Sequence, residues 1–320
     1  VALCDVDWGF AADAFARHKD APHYRDYRQM LEEMDEQIDA VMISTPDHMH
    51  AEVAMAAMRR RKHVFVQKPL AHNIAETRMM TEAARKYGVA SHMGIQGHAC
   101  EGWRLIKEWI VDNNAIGPVR EIKIWTDRPI WPQDIDRPAE TPPVPETLDW
   151  DLWLGPAPER PYNPIYAPFR WRGWYDFGTG ALGDIGCHAF DAAFSVLNLG
   201  YPTSVEAECS PLRKETYPAW SIITYEFPAR GDMPPVRLTW YDGGKKPPMP
   251  EGLEEGRDLG GNGQLFYGDD GVMTSGPNGQ SPRIIPETKM REFSKTKPEK
   301  TLDRSIGQYE EWIEACRGGK

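Results

Sequence analysis

The chain has 320 residues, of which 41% are hydrophobic, and this is enough to bury the cores of two domains. It carries 37 basic and 48 acidic residues, and the resulting net charge of −11 argues against nucleic acid and anionic membranes as partners. Five cysteines without a Cys-x-x-Cys pair indicate neither a disulfide framework nor a zinc knuckle. No apolar stretch reaches the roughly 18 residues that a membrane-spanning helix needs, so we expect no membrane span.

Strands and helices alternate in the first third of the chain. The apolar patterns predict strands over 1–6, 38–44, 63–67 and 89–96, and helices over 9–18, 27–34, 50–61, 74–87 and 101–114. Gly88 directly follows one of these helices and is placed to end it. This alternation is typical of a parallel, doubly wound α/β sheet.

The pattern changes at Gly117-Pro118. A stretch rich in proline and tryptophan over 127–174 is long for a loop, and we expect an ordered cover. Strands are predicted over 119–126, 204–208, 221–227, 236–241, 264–267 and 272–275, and helices over 180–197 and 305–315. This order indicates an α+β domain with a large open, mostly antiparallel sheet. We expect two domains, residues 1–118 and 119–320.

Two polar motifs follow predicted buried strands. Ser44-Thr45-Pro46-Asp47-His48-Met49-His50 lies at the carboxyl end of a strand, where open α/β sheets bind ligands. No cluster of Cys, Asp or Glu completes a metal site with its His-x-His pair, so we expect no metal and favour a cofactor-lining role. Lys68 ends the next strand, where an ammonium can stabilise a developing alkoxide. A surface lysine in a turn is the alternative.

Asp184 and His188 are four residues apart in a predicted helix, which places both on one face. A histidine near a carboxylate can act as a general base, whereas a lone histidine is more often a core residue. The coincidence with Lys68 favours catalysis. The glycines of Gly178-Thr-Gly-Ala-Leu-Gly183 match a phosphate-binding pattern in letters only, because no strand precedes them.

Three ordered segments, Ile43 to His50, Lys62 to Ala71 and Gly180 to His188, together resemble the consecutive motifs of the Gfo/Idh/MocA family. This family is named for glucose-fructose oxidoreductase and inositol dehydrogenase. The resemblance implies a Rossmann domain followed by an α+β domain with an open sheet, and NAD or NADP as cofactor. The family's glycine loop would precede Val1 and its last sheet elements would follow Lys320, so we expect a chain cut off at both ends.

The resemblance also implies roles for individual residues. His188 would take a hydroxyl proton, Asp184 would orient it, and Lys68 would bind the same oxygen. The implied cofactor-binding residues are Asp5, Ser44, Thr45, Pro46, His50, Gln67, Lys68 and Gln96, and the implied substrate-binding residues are Trp171, Arg172, Asp184 and His188. Gln67 departs from the family, which usually has Glu before the lysine.

These implications predict an oxidoreductase that transfers a hydride between a nicotinamide and a hydroxyl-bearing carbon of a sugar, sugar derivative or cyclic polyol. Asp5 would repel a 2′-phosphate, so NAD is favoured over NADP. Two alternatives stay open: a redox-neutral, NAD-dependent glycoside-cleaving enzyme, and a catalytically silent homologue that binds a sugar or a protein. We expect a homo-oligomer formed through the open sheet. The location is left open, either cytoplasmic or exported to the periplasm by a preceding signal.

Overall fold

The computed structural model describes residues 1–296 and 298–319. Its first elements are β1 (Leu3–Cys4), α1 (Ala12–Arg17), β2 (His23–Tyr24), α2 (Tyr27–Glu33), β3 (Ala40–Ile43), α3 (Asp47–Arg59), β4 (His63–Val66), α4 (Ile74–Tyr87) and β5 (Ser91–Met93). Strands β3, β4 and β5 form a parallel sheet in that order. The predicted Rossmann-type parallel arrangement is confirmed for these strands.

Strand β1 is the main departure in this part of the chain. Only Leu3 and Cys4 form ladder pairs, with His23 and Tyr24 of β2, and the two strands lie outside the three-stranded sheet. The predicted strand over 1–6 is therefore too long. The physical reason is that β2, its pairing partner among the described residues, extends over two residues only.

Helices α3 and α4 cover one face of the three-stranded sheet. Val64 and Val66 point into this core and are almost completely buried. Helix α4 has its predicted bounds, because Asn73 accepts a hydrogen bond from the N–H of Glu76 and Gly88 adopts the left-handed conformation, with φ of 64°. Phe65 points to the other face.

The remaining elements build a second sheet and its helices. They are α5 (Glu101–Lys107), β6 (Val119–Trp125), α6 (Trp150–Leu154), α7 (Cys187–Leu197), β7 (Ser204–Cys209), β8 (Ser221–Phe227), β9 (Val236–Tyr241), β10 (Gly263–Gly268), β11 (Val272–Ser275), β12 (Arg283–Ile285), α8 (Glu287–Lys295) and α9 (Gln308–Cys316). The sheet order is β12-β11-β10-β6-β9-β8-β7. Neighbours are antiparallel except β6 and β9, which confirms the predicted open, mostly antiparallel sheet. Strands β2 and β12 and helices α6 and α8 were not predicted from the sequence.

Helices α5 and α9 each pack on a different sheet from the one that their place in the chain suggests. Ile106 of α5, expected in the first domain, packs in the core of the seven-stranded sheet. Tyr309 of α9 returns to the first sheet and stacks on Phe65 with ring centroids 5.2 Å apart. The division at residue 118 therefore stays a prediction. In the described part of the chain, no helix is long and apolar enough to cross a membrane.

The segment over 127–174 is ordered around an aromatic core. Trp153, Tyr166, Trp174 and Phe177 are buried together, and the last three pack edge to face. The indole N–H of Trp150 donates to the carbonyl oxygen of Arg160 across a turn. This core brings the end of the segment over the carboxyl ends of β3 and β4.

Candidate active site

A salt bridge joins the two sheets at the carboxyl end of β4. The Lys68 ammonium lies 2.6 Å from Oδ1 of Asp184 and donates to its backbone carbonyl oxygen at 2.8 Å. Lys68 lies two residues beyond β4, and Asp184 lies in a π-helical turn over 182–186 that runs into α7. Both side chains are mostly buried, with 19% and 12% of their surfaces exposed. Two of the predicted catalytic residues are thus in direct contact.

His188 lies in the first turn of α7 and is buried, with 7% of its surface exposed. Its Nδ1 atom is buried and has no hydrogen-bond partner among the described residues. Burial, and then the nearby Lys68 charge, lowers the pKa of His188 to about 4. The imidazole is therefore neutral near pH 7 and can accept a proton.

The Asp184 carboxylate contacts cations rather than the imidazole. Nε of Arg172 lies 3.3 Å from its Oδ1, and Nε of Arg128 lies 3.9 Å from its Oδ2. No hydrogen bond between Asp184 and His188 is present among the described residues. In this geometry Asp184 contacts Lys68 and the two arginines, and its orienting role stays a prediction. Arg128 was missed because it lies in the long segment before α6, 56 residues from Asp184.

A second buried carboxylate lies in the same polar cluster. Asp47, the first residue of α3, is 3% exposed and accepts a hydrogen bond of 2.6 Å from the Thr179 hydroxyl. Burial raises the pKa of Asp47 to about 7. Asp47 was not predicted as a site residue of its own, although it lies within the motif that follows β3. Its position at the carboxyl end of a buried strand was the signal that could have singled it out.

The predicted cofactor-lining residues after β3 differ in their surroundings. Ser44 is exposed, whereas Thr45 and Pro46 are half-buried. The Thr45 hydroxyl oxygen is buried and has no partner in the described ranges. His50 is fully buried, and its ring nitrogens lie 2.9 Å from the carbonyl oxygen of Thr45 and 2.7 Å from that of Pro69. His50 thus braces two strand-end turns.

The other predicted cofactor residues lie around this edge. Asp5 follows β1, and its carboxylate accepts a hydrogen bond from the N–H of Asp7, while burial raises its pKa. Gln67 is half-buried, and its backbone N–H donates to the carbonyl oxygen of Ile43. Gln96 begins a 3-10 turn and is exposed. Asp5 therefore belongs to the two-stranded sheet, and Gln67 belongs to the edge that carries Lys68.

Trp171 packs against the Arg172 side chain at the candidate site. It is 6% exposed, and its indole N–H donates to the carbonyl oxygen of Pro168. The Arg172 guanidinium lies 4.2 Å from the Trp171 ring centroid and 4.5 Å from that of Phe169. These rings hold the guanidinium by cation–π contact. Trp171 thus positions its neighbour.

Two regions of the chain each match a known family model. Residues 1–95 match the model described as an oxidoreductase family with an NAD-binding Rossmann fold, and residues 130–233 match that of the C-terminal α/β domain. The chain belongs to the Gfo/Idh/MocA family. Within a Gfo/Idh/MocA protein, the unpaired Thr45 hydroxyl at the end of β3 fits a polar contact to a bound dinucleotide.

Relatives of this Gfo/Idh/MocA chain include two dehydrogenases. An inositol 2-dehydrogenase from Salmonella typhimurium is 33% identical over 37% of this chain and 34% of its own length. A levoglucosan dehydrogenase from Pseudarthrobacter phenanthrenivorans is 28% identical over 60% of this chain and 40% of its own length. The matched part of this chain thus spans about a third of the length of the inositol dehydrogenase.

A solved structure shows the same fold. The WlbA dehydrogenase from Bordetella pertussis, crystallised with NADH and UDP-GlcNAcA, superposes with a TM-score of 0.61 at 16% identity. The superposition covers 99% of this chain and 84% of that one. The likeness between the two proteins at 16% identity is one of fold. No group of three or more His, Cys, Asp or Glu side chains within residues 1–296 and 298–319 is arranged to hold a metal ion.

Proposed function

We propose that the protein is an NAD(P)-dependent oxidoreductase that transfers a hydride between a nicotinamide and a hydroxyl-bearing carbon of a sugar, sugar derivative or cyclic polyol. The observation that carries the proposal is the Lys68–Asp184 contact of 2.6 Å beside a buried, neutral His188. A hydroxyl that loses a hydride from its carbon must also lose its proton. The cluster offers both a proton acceptor and a cation for the oxygen.

The residues divide this chemistry between them. In the oxidative direction, a nicotinamide held along the carboxyl ends of β3 and β4 would supply the acceptor for the hydride that leaves the carbon. His188 accepts the hydroxyl proton, and the carbonyl forms from the C–O bond. The Lys68 ammonium stabilises the negative charge that develops on the oxygen, and Asp184 fixes the position of that ammonium through its salt bridge.

The cofactor would lie along the carboxyl ends of β3 and β4. Thr45 offers a free hydroxyl there, and Gln67 and Lys68 follow the neighbouring strand. Asp5 would accept hydrogen bonds from ribose hydroxyls and would repel a 2′-phosphate, so we propose NAD rather than NADP. Ser44, Pro46 and Gln96 complete the proposed cofactor edge.

We propose in addition that copies of the protein associate through the face of the seven-stranded sheet that α5, α7 and α8 leave uncovered. Ile222 and Thr224 point to this face and are half-buried, whereas Thr239 beside them is buried. Light scattering of the purified protein tests this proposal, and a monomer at micromolar concentration would contradict it.

The first experiment is to denature the purified full-length protein and to identify any released nicotinamide by chromatography and mass spectrometry. We expect NAD(H). A panel of sugars and cyclic polyols is then tested for net reduction of added NAD, with Lys68→Met and His188→Asn as inactive variants. Lys19→Ala, an exposed lysine on the other side of β1, serves as the matched control. The absence of both released nicotinamide and binding on titration would overturn the proposal.

A further inference from the structure

Positive charge is concentrated around a single carboxylate at the candidate site. Lys68, Arg172 and Arg128 all lie within 4 Å of Asp184, at 2.6, 3.3 and 3.9 Å respectively. The chain as a whole carries a net charge of −11, so this local excess runs against the overall balance. Like charges brought together in a partly buried site repel one another, which makes the arrangement costly unless another anion joins it.

The nearby carboxylates do not fully compensate these three cations. Asp127 pairs with Arg128 at 2.6 Å, but half of its side chain is exposed to solvent, where the pair is screened. Asp47 is buried, and the raised pKa of its carboxyl leaves it partly uncharged near pH 7. Asp184 alone therefore faces the cations as a buried, salt-bridged carboxylate. The three cations therefore keep an excess of positive charge that one more anion would balance.

Both arginines keep donors free for a ligand. Arg172 donates Nε to Asp184 and Nη1 to the carbonyl oxygen of Phe169, and Arg128 donates Nη1 to Asp127. For neither side chain does Nη2 have a partner in the described part of the chain. The side chains are 24% and 27% exposed, so these donors are accessible.

The Arg172 guanidinium and the Arg128 backbone are also held in place before any ligand arrives. Arg172 stacks on Trp171 and Phe169, and the backbone of Arg128 is fixed by hydrogen bonds with the Thr126 hydroxyl and the N–H of Gly243. A planar guanidinium with a free N–H edge suits the paired oxygens of a carboxylate or phosphate. Preorganised donors reduce the entropy that binding costs.

We propose that the substrate is an anionic sugar, and that Arg128 and Arg172 bind its carboxylate or phosphate substituent beside the reacting hydroxyl. The proposal rests on the function proposed above and narrows its substrate class. Lys68 then serves the reacting oxygen, while the two arginines determine specificity for the charged group.

The test measures binding of three probes that share the glucose ring and differ in the group at C6: glucose, glucuronate and glucose 6-phosphate. Calorimetric titrations are made with saturating NAD present, so that the cofactor's own phosphates occupy their site. We expect at least one anion to bind about tenfold or more tightly than glucose, which is the range of one charge-assisted hydrogen bond. The two anions separate carboxylate from phosphate recognition.

Arg128→Gln and Arg172→Gln should each lower that preference about tenfold, and Arg128→Lys should lower it less because the charge is kept. Arg170→Gln is the matched control, since Arg170 is exposed in the same turn as Arg172. Circular dichroism and retained NAD binding show that each variant is folded. Equal affinity for glucose and both anions, or equal losses in the Arg170 control, would overturn the inference.

The two proposals fail in different ways. A protein that binds NAD and oxidises neutral sugars without any preference for anions would refute the anionic substrate and leave the oxidoreductase standing. Anion binding that disappears when NAD is added would assign the arginines to the cofactor, and this result would also refute the inference. A protein that binds no nicotinamide fails the earlier test.

Discussion

The strand-end turns (residues 44–50 and 67–69) and the helix entrance (residues 182–188) meet at the candidate site. Each contains a buried histidine, and the two histidines differ in their hydrogen bonding. In the strand-end turns, His50 lies between two backbone carbonyl oxygens, and Asp47 accepts a hydrogen bond from Thr179. In the helix entrance, His188 is also buried, but its Nδ1 has no partner among the described residues. A satisfied buried histidine stabilises a fold, whereas an unsatisfied one is available for chemistry.

This contrast predicts the largest effect for His188→Asn. We expect kcat/KM to fall by roughly 10²–10⁴, the usual contribution of a general base, while the free energy of unfolding changes by less than about 1 kcal/mol. Steady-state kinetics and urea unfolding of the same preparation measure both quantities. A variant that loses stability and keeps its activity would show that His188 stabilises the fold and is not the general base.

His50→Ala should show the opposite behaviour. Removing the ring takes away its one N–H donor, which serves the carbonyl oxygen of either Thr45 or Pro69, and opens a small cavity, so we expect a loss of roughly 2–4 kcal/mol in stability. Urea unfolding measures this loss, with exposed His18→Ala as the control. Unchanged stability would show that His50 is not a brace.

The pH dependence of the free energy of unfolding in the Asp47→Asn variant tests the strand-end turns. Burial raises the pKa of Asp47 from its usual 3.8 to about 7 in the folded protein, so its contribution to stability is present below pH 3.8 and is lost as pH rises through about 7. Asparagine does not ionise, so the variant does not lose this stability as pH rises. Its side-chain oxygen still accepts the hydrogen bond from the Thr179 hydroxyl. We expect the variant to gain on the order of 2 kcal/mol over the wild type between pH 5 and pH 8.

Chemical unfolding of both proteins at the two pH values measures this difference. Asp13→Asn, an exposed change on α1, is the control and should follow the wild type. A parallel pH dependence of the Asp47 variant and the wild type would show that the carboxyl titrates normally.

The smallest effect is expected at His98, a histidine paired with a carboxylate near the surface. Its ring lies 3.0 Å from both carboxylate oxygens of Asp191, and this hydrogen bond raises its pKa. The stability it contributes is present below the unfolded pKa of about 6.5 and is lost as pH rises through the folded value. Asp191→Asn should lower the His98 pKa in an NMR titration, and an unchanged titration would contradict the pairing.

Local patterns in the sequence were enough to predict many elements. Strands β8, β9 and β11 and helix α4 have the predicted bounds, because period-2 and period-3.6 patterns report burial on one side of the chain. The position of Lys68 at a strand end and the four-residue spacing of Asp184 and His188 were also visible. Each of these signals lies within a few neighbouring residues.

The sequence by itself determined which residues could perform the chemistry, and the tertiary structure decided which of them meet. Arg128, Arg172 and Lys68 converge on Asp184 from separate parts of the chain, and no local period records such a contact. The same holds for the parallel pairing of β6 with β9 and for the return of α9 to Phe65. Local periodicity reports which side of an element is buried, whereas packing between distant segments determines its partners.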